Sequence, residues 1–217
     1  MFPSMNRDTV GPDEMRLRAA VEAIYGCFAA PVPKQIIGCP CCITTRQIDI
    51  LLTKPLHAVT GTALWRYVSG VFLTVGAERD FRYLLPRILE VSAFDPTNAN
   101  DPEVVLGKLK LAGWRSWSPA EQQVIEEFVD AWFERELTRD LAGAEAGWIE
   151  MNAESVLCGA ARAGFPLRPW LIRLCEPDAA PVLEDLKSRY PGKLSAFWEF
   201  APQQLQEFST ILDGGSS

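Results

Sequence analysis

The sequence predicts an all-α protein, a multi-helix bundle that is either one body, two lobes or solenoid-like stacked helix pairs. Three observations point there. Apolar residues recur at helical spacing through most of the 217 residues. Two segments open with strong helix-start signatures. No stretch keeps the alternation a half-buried strand needs.

Taken in order, Leu17, Val21, Ile24 and Phe28 fall on one helical face. Pro31 and Pro33 close that helix, because proline lacks the donor and crowds the preceding turn. Residues 31 to 43 read as a loop rich in Pro, Gly and Cys, followed by a short helix from about Thr45 carrying Ile48, Leu51 and Leu52. A third helix is expected over Thr62 to Val75, and a fourth over Glu78 to Val91, kinked or divided at Pro86.

Asp95 to Asn100 reads as a loop. Asp101-Pro102-Glu103 then offers an N-cap, a proline at the first helical position and an early acid. Ser118-Pro119-Ala120-Glu121 repeats the device and adds the capping-box glutamate. The helix after Ser118 is expected to reach Thr138. Val124, Ile125, Phe128, Val129, Trp132 and Phe133 form its buried face, and Glu126, Glu127, Asp130 and Glu134 its solvated acidic face. Helical segments follow near Glu145 to Ala163, Leu167 to Leu174, Ala179 to Tyr190 and Pro202 to Leu212, then a loose Gly214-Gly215-Ser216-Ser217 tail. The length suits a single helical domain over 1–217, with a candidate lobe boundary at 139–147.

The charged fraction is 23% and the net charge −7. Such a chain repels phosphate backbones, so nucleic acid is not an expected partner; a basic protein surface is. The first residues carry no apolar signal-peptide core, and the apolar run from Leu64 to Val75 is broken by Arg66 and Tyr67. The expected location is therefore the cytoplasm, with no membrane contact. In that reducing setting the six cysteines are thiols or metal ligands rather than disulfides.

Cys39-Pro40-Cys41-Cys42 is the sharpest feature. Thiolates are soft ligands for zinc and for iron–sulfur clusters. Cys39 and Cys42 have the two-residue separation that turns both sulfurs toward one ion. Adjacent cysteines tend to point apart, so a mononuclear zinc site would use two of the three, while an iron–sulfur cluster would take all of them. A further ligand must come from Cys27, His57, Cys158 or Cys175. Cys158 ranks first, because Gly159-Ala160-Ala161 beside it lets backbones approach. The metal set is thus Cys39, Cys41, Cys42 and Cys158. Two rival readings exist: a thioredoxin-like dithiol, which needs a strand before the motif and a helix directly after it, and three unreactive thiols closing a loop.

No catalytic residue is assigned. His57 is the only histidine, which excludes paired-histidine protease motifs and the paired Glu-x-x-His sites of di-iron bundles. There is no P-loop and no Gly-x-Gly-x-x-Gly. Asp80, Arg82 and nearby carboxylates could support an enzyme. The preferred role for Arg82 and Arg87 is holding carboxylates of neighbouring helices. The tryptophans read as packing.

The string Gly38-Cys39-Pro40-Cys41-Cys42, Leu51-Leu52, Pro55-Leu56, Asp80-Phe81-Arg82-Tyr83-Leu84-Leu85-Pro86-Arg87-Ile88-Leu89-Glu90, Asp101-Pro102-Glu103 and Trp114-Arg115-Ser116-Trp117 resembles a family of bacterial helical proteins without an assigned activity. It covers roughly residues 15 to 135. Small acidic helical proteins of this kind are also similar to immunity proteins, which block antibacterial toxins. That resemblance implies a non-enzymatic inhibitor of a basic toxin domain, with the Cys loop as a structural metal or iron–sulfur staple. The competing expectation is a metal- or cluster-dependent redox sensor or regulator.

Overall fold

The computed structural model describes residues 11–46, 48–95 and 100–213. Among these the protein is fully α-helical: α1 (Pro12–Cys27), α2 (Pro40–Arg46), α3 (Gly61–Val68), α4 (Glu78–Phe94), α5 (Pro102–Leu111), α6 (Pro119–Glu145), α7 (Asn152–Ala163), α8 (Arg168–Leu174), α9 (Ala180–Arg189) and α10 (Pro202–Leu212). Short 3-10 turns join several of them, including Ile48–Leu52 and Ala196–Phe200. The described residues contain no strand, only isolated bridges of Gly38 and of Val71 with Val75. Residues 1–10, the tail from Gly214 and most of the loop before Asn100 lie outside the described residues.

Leu17, Val21, Ile24 and Phe28 are buried, as the helical spacing requires. They face α6, which packs along α1 and against α7, while α5 lies along α7. The α5–α7 crossing is close because Gly159 has no side chain. A Cβ there would sit 2.7 Å from the Pro102 carbonyl oxygen. At the start of α6, the Ser118 hydroxyl accepts from Glu121 N–H, and the Glu121 carboxylate accepts from Ser118 N–H at 3.0 Å. Asp101 precedes α5 at the expected place but makes no side-chain capping bond.

Four boundaries differ from the sequence reading. The short helix begins at Pro40 rather than Thr45, so the cysteines are helical. Pro40 takes the first helical position, where its missing donor costs nothing. The third helix stops at Val68, because residues 70–75 fold into a tight turn with Phe72 at φ 62°. Pro86 does not divide α4. Its cost of about 3 kcal/mol is outweighed by burial of Leu84, Leu85, Ile88 and Leu89, each contributing about 1.5–3 kcal/mol. Helix α6 runs past Thr138 to Glu145, so all but the last two residues of the segment marked as a lobe boundary are continuous helix.

Beyond α6, Asp140 links its last turns to α7. Its carboxylate accepts from the N–H groups of Asn152 (3.1 Å) and Ala153 (2.8 Å), the otherwise unpaired first donors of α7. Deeper in the α5–α7 region, buried Glu154 accepts from Ser195 N–H at 2.7 Å, Trp198 Nε1 at 3.3 Å and the Arg189 guanidinium.

Candidate metal centre

The three thiols of the Cys39–Cys42 turn converge. Their sulfurs all lie within 4.8 Å of one another, with Cys39 and Cys41 exposed and Cys42 half-buried. Cys39 Sγ is 2.8 Å from Cys41 Sγ, and Cys41 Sγ is 3.9 Å from Cys42 Sγ. The local fold explains the gathering. The Cys39 carbonyl accepts the first bond of α2, from Ile43 N–H at 3.0 Å. Cys39 therefore sits at the helix entry, while Cys41 and Cys42 occupy the first turn. The expectation that the adjacent pair would point apart is corrected: the helical turn carries both sulfurs toward Cys39.

A second turn holds this one from behind. Cys39 N–H donates to the Thr74 carbonyl at 2.9 Å, and Gly76 N–H donates to the Ile37 carbonyl at 2.7 Å. Gly38 bridges Val75. The contact needs glycine, since a Cβ at 38 would lie 2.7 Å from Val75 Cα. Just before the 70–76 turn, α3 is tied to α4 by Tyr67, whose hydroxyl donates to buried Asp80 at 2.6 Å. Burial holds the Asp80 carboxyl above its usual range. These supports were not visible in the sequence, where Val71 to Val75 continued the apolar run of α3.

The thiols are electrostatically unequal. Cys39 is lowered to about 7, chiefly because the Cys41 thiol donates to it, with backbone N–H groups of Cys42 and Cys41 adding to the effect. Cys41 is pushed up to about 11, chiefly because its proton is held by Cys39 and then by Cys42. Of these two, Cys39 ionises first.

The arrangement can hold a thiophilic ion. Thiolates at about 2.3 Å around one zinc stand about 3.8 Å apart. The Cys41–Cys42 separation already matches, and Cys39 needs to move out by about 1 Å to give the same edge. A multi-iron cluster spreads its thiolates over separate irons and so holds them farther apart.

Cys158, the expected fourth ligand, is not gathered with the trio. It is fully buried in α7, where burial pushes its thiol pKa up, with the Glu103 charge adding to the effect. The small residues beside it serve the close α5–α7 crossing. Cys27 is half-buried at the end of α1, and Cys175 is exposed after α8. His57 stacks on Tyr25 with ring centroids 4.1 Å apart. Arg82 pairs with Glu121 of α6 and Glu78, and Arg87 with Glu90 and the Val59 carbonyl. Arg82 thus holds a carboxylate of a neighbouring helix as expected, whereas Arg87 does not: Glu90 lies on α4 itself, and the partner of Arg87 outside the helix is a carbonyl.

A second feature lies between α6 and the 165–170 segment. A groove of about 350 Å³ has Arg16, Glu126, Glu127 and Asp130 on its rim, Arg16 pairing with Asp130, and Phe165, Pro166 and Trp170 in its wall. Trp170 Nε1 donates to Asp130 at 2.9 Å. The acidic face was legible in the sequence, but its apolar neighbour was not.

No helix among the described residues is long and apolar enough to cross a membrane. No protein-family model, curated protein or solved structure matches this chain. The resemblance drawn from the sequence therefore has no relative behind it, and the geometry carries the functional reading.

Proposed function

We propose that this chain is a non-enzymatic binding protein that carries one thiophilic metal ion, zinc by preference, on the Cys39–Cys42 turn. The observation that supports this most is the convergence of three sulfurs within 4.8 Å on a turn braced by a second turn. Solvent supplies the remaining zinc position, since two of the thiols are exposed. Elemental analysis and the ultraviolet–visible spectrum of protein purified without air test the reading. About one zinc per colourless chain is expected. Stoichiometric iron with a broad band near ~400 nm would replace the ion by a cluster. A metal-free protein that takes up no added zinc would sink it.

The partner in this reading is a basic protein, and the role is that of an immunity-type inhibitor of a cationic toxin domain. The net charge of −7 and the acid-rimmed groove support it. Growth protection against a toxin encoded beside this protein is the test. Protection that disappears in Glu126→Lys/Glu127→Lys carries the reading, and no protection from the unaltered chain ends it.

The exposure of Cys39 and Cys41 favours a second reading, that of a metal-dependent redox regulator. A buried staple would be shielded from solvent, and this site is not.

A further inference from the structure

Cys39 and Cys41 are both exposed, and their sulfurs are already 2.8 Å apart. A disulfide needs about 2.05 Å between sulfurs, so a shift of less than 1 Å closes the pair. The other pairings are worse placed. Cys41 and Cys42 are sequence neighbours with sulfurs 3.9 Å apart, and linking them would force the intervening peptide out of its planar trans form. Cys42 is half-buried, and Cys158 is sealed inside α7. The helix that a reactive dithiol wants directly after its motif is present as α2, starting at Pro40.

We infer that Cys39 and Cys41 form a reversible disulfide when a hydroperoxide reaches the loop, and that this closure expels the metal ion. The inference rests on the ion site proposed above and gives it a regulation. In the first step Cys39 sulfur attacks the peroxide. A sulfur–oxygen bond forms, the oxygen–oxygen bond breaks, and the leaving oxygen takes a proton to become water or an alcohol. In the second step Cys41 sulfur attacks the sulfenic sulfur of Cys39. The sulfur–sulfur bond forms, the sulfur–oxygen bond breaks, and hydroxide leaves as water with a second proton. The two thiols are oxidised by two electrons in all, and the hydroperoxide is reduced. Cys42 remains as the single donor of the former three, which is too few to hold zinc. The ring is small and exposed, the type of disulfide that is readily reduced again.

The test uses the full chain loaded with zinc and treated with about one equivalent of hydrogen peroxide, the stoichiometry of a two-electron oxidation. Released zinc is read with a chromophoric chelator, and remaining thiols are alkylated. Residues 35–46 form one tryptic peptide holding all three cysteines, so fragmentation shows which sulfur is still alkylated. The expected result is zinc release together with a peptide alkylated only at Cys42, reversed by dithiothreitol. Cys41→Ser, treated without metal, should close a disulfide at least ~10-fold more slowly, and Cys175→Ser should behave as the parent. A peptide alkylated at Cys41 would overturn the pairing, and zinc retained after closure would overturn the expulsion. If the chain never binds zinc, the ion site fails, while the peptide map of metal-free protein still decides the disulfide.

Discussion

Gly38 passes so near Val75 that one added carbon would lie 2.7 Å from the Val75 Cα. The turn that presents the thiols therefore depends on a turn more than thirty residues away, joined to it by the Cys39–Thr74 and Gly76–Ile37 bonds.

Gly38→Ala should consequently weaken the fold and the site together. Forcing a Cβ against backbone costs about 1–3 kcal/mol. Urea denaturation should show that loss, and zinc competition should show an affinity lowered by about tenfold or more, since second-layer supports are worth that much to metal sites. Gly26→Ala is the control, because a Cβ there meets nothing within 4 Å. Equal stability of Gly38→Ala and the parent would remove the bracing role of the 70–76 turn.

Zinc affinity should depend on pH in a particular way. Zinc binds thiolates, so each thiol still protonated must release its proton on binding. Cys41, pushed up to about 11, releases one across the whole range from 6 to 9. Cys39, lowered to about 7, releases one only below that point. The slope of log affinity against pH should therefore steepen by about one unit per pH unit below pH ~7. A chelator titration from pH 6 to 9 checks it. Cys39→Ser should abolish the steepening, and an unchanged slope in the parent would contradict the ordering of the thiols.

The buried acids set a separate pH dependence in protein freed of metal. Burial raises the pKa values of Asp80, Glu103, Glu136 and Asp140. Unfolded, these groups titrate near ~4. Between that value and their raised folded values the native state holds more protons than the unfolded chain, so stability falls as pH rises. Glu121 has the opposite sign. Burial alone would raise it, but the Ser118 hydroxyl, Ser118 N–H and Arg82 outweigh that and lower it. Its contribution is lost as pH falls through its folded value. Thermal melts with a chelator should show stability falling as pH rises above ~4, and Glu103→Gln should flatten that decline. Stability rising steadily from pH 5 to 8 would refute this assignment.

The sequence disclosed the helices whose signals are local. Ser118-Pro119-Ala120-Glu121 announces α6, and the spacing from Leu17 to Phe28 fixes the buried side of α1, because both depend on residues within a turn or two. The turn at 70–76 was hidden, since Val71 and Phe72 are as apolar as a continuing helix, and tertiary bonds to Ile37 and Cys39 join the local bonds to the Gly70 carbonyl in holding it. Pro40 was a readable helix start that the surrounding Pro, Gly and Cys disguised as loop. The thiol trio was legible as a cluster. Cys158 lies apart from the trio, and Gly159 beside it marks close helix packing as readily as it marks a ligand approach.

The same region yields the largest expected loss of stability. Glu154 is 3% exposed and accepts from Arg189, Ser195 and Trp198. Two of these donors are neutral, so Arg189 is the positive charge that faces it, and Asp185 holds the same guanidinium at 2.8 Å. Arg189→Met removes that charge while keeping much of the stem volume, leaving a carboxylate buried without its counter-charge. Such a loss costs about 3–5 kcal/mol. Glu154→Gln in the same background restores part of it, because an amide oxygen can still accept from Ser195 and Trp198 without a charge to compensate. Urea midpoints of the two single variants and the double variant measure the coupling. If Arg189→Met alone lies within about 0.5 kcal/mol of the parent, a typical surface change, the α7–α9 link is not electrostatic.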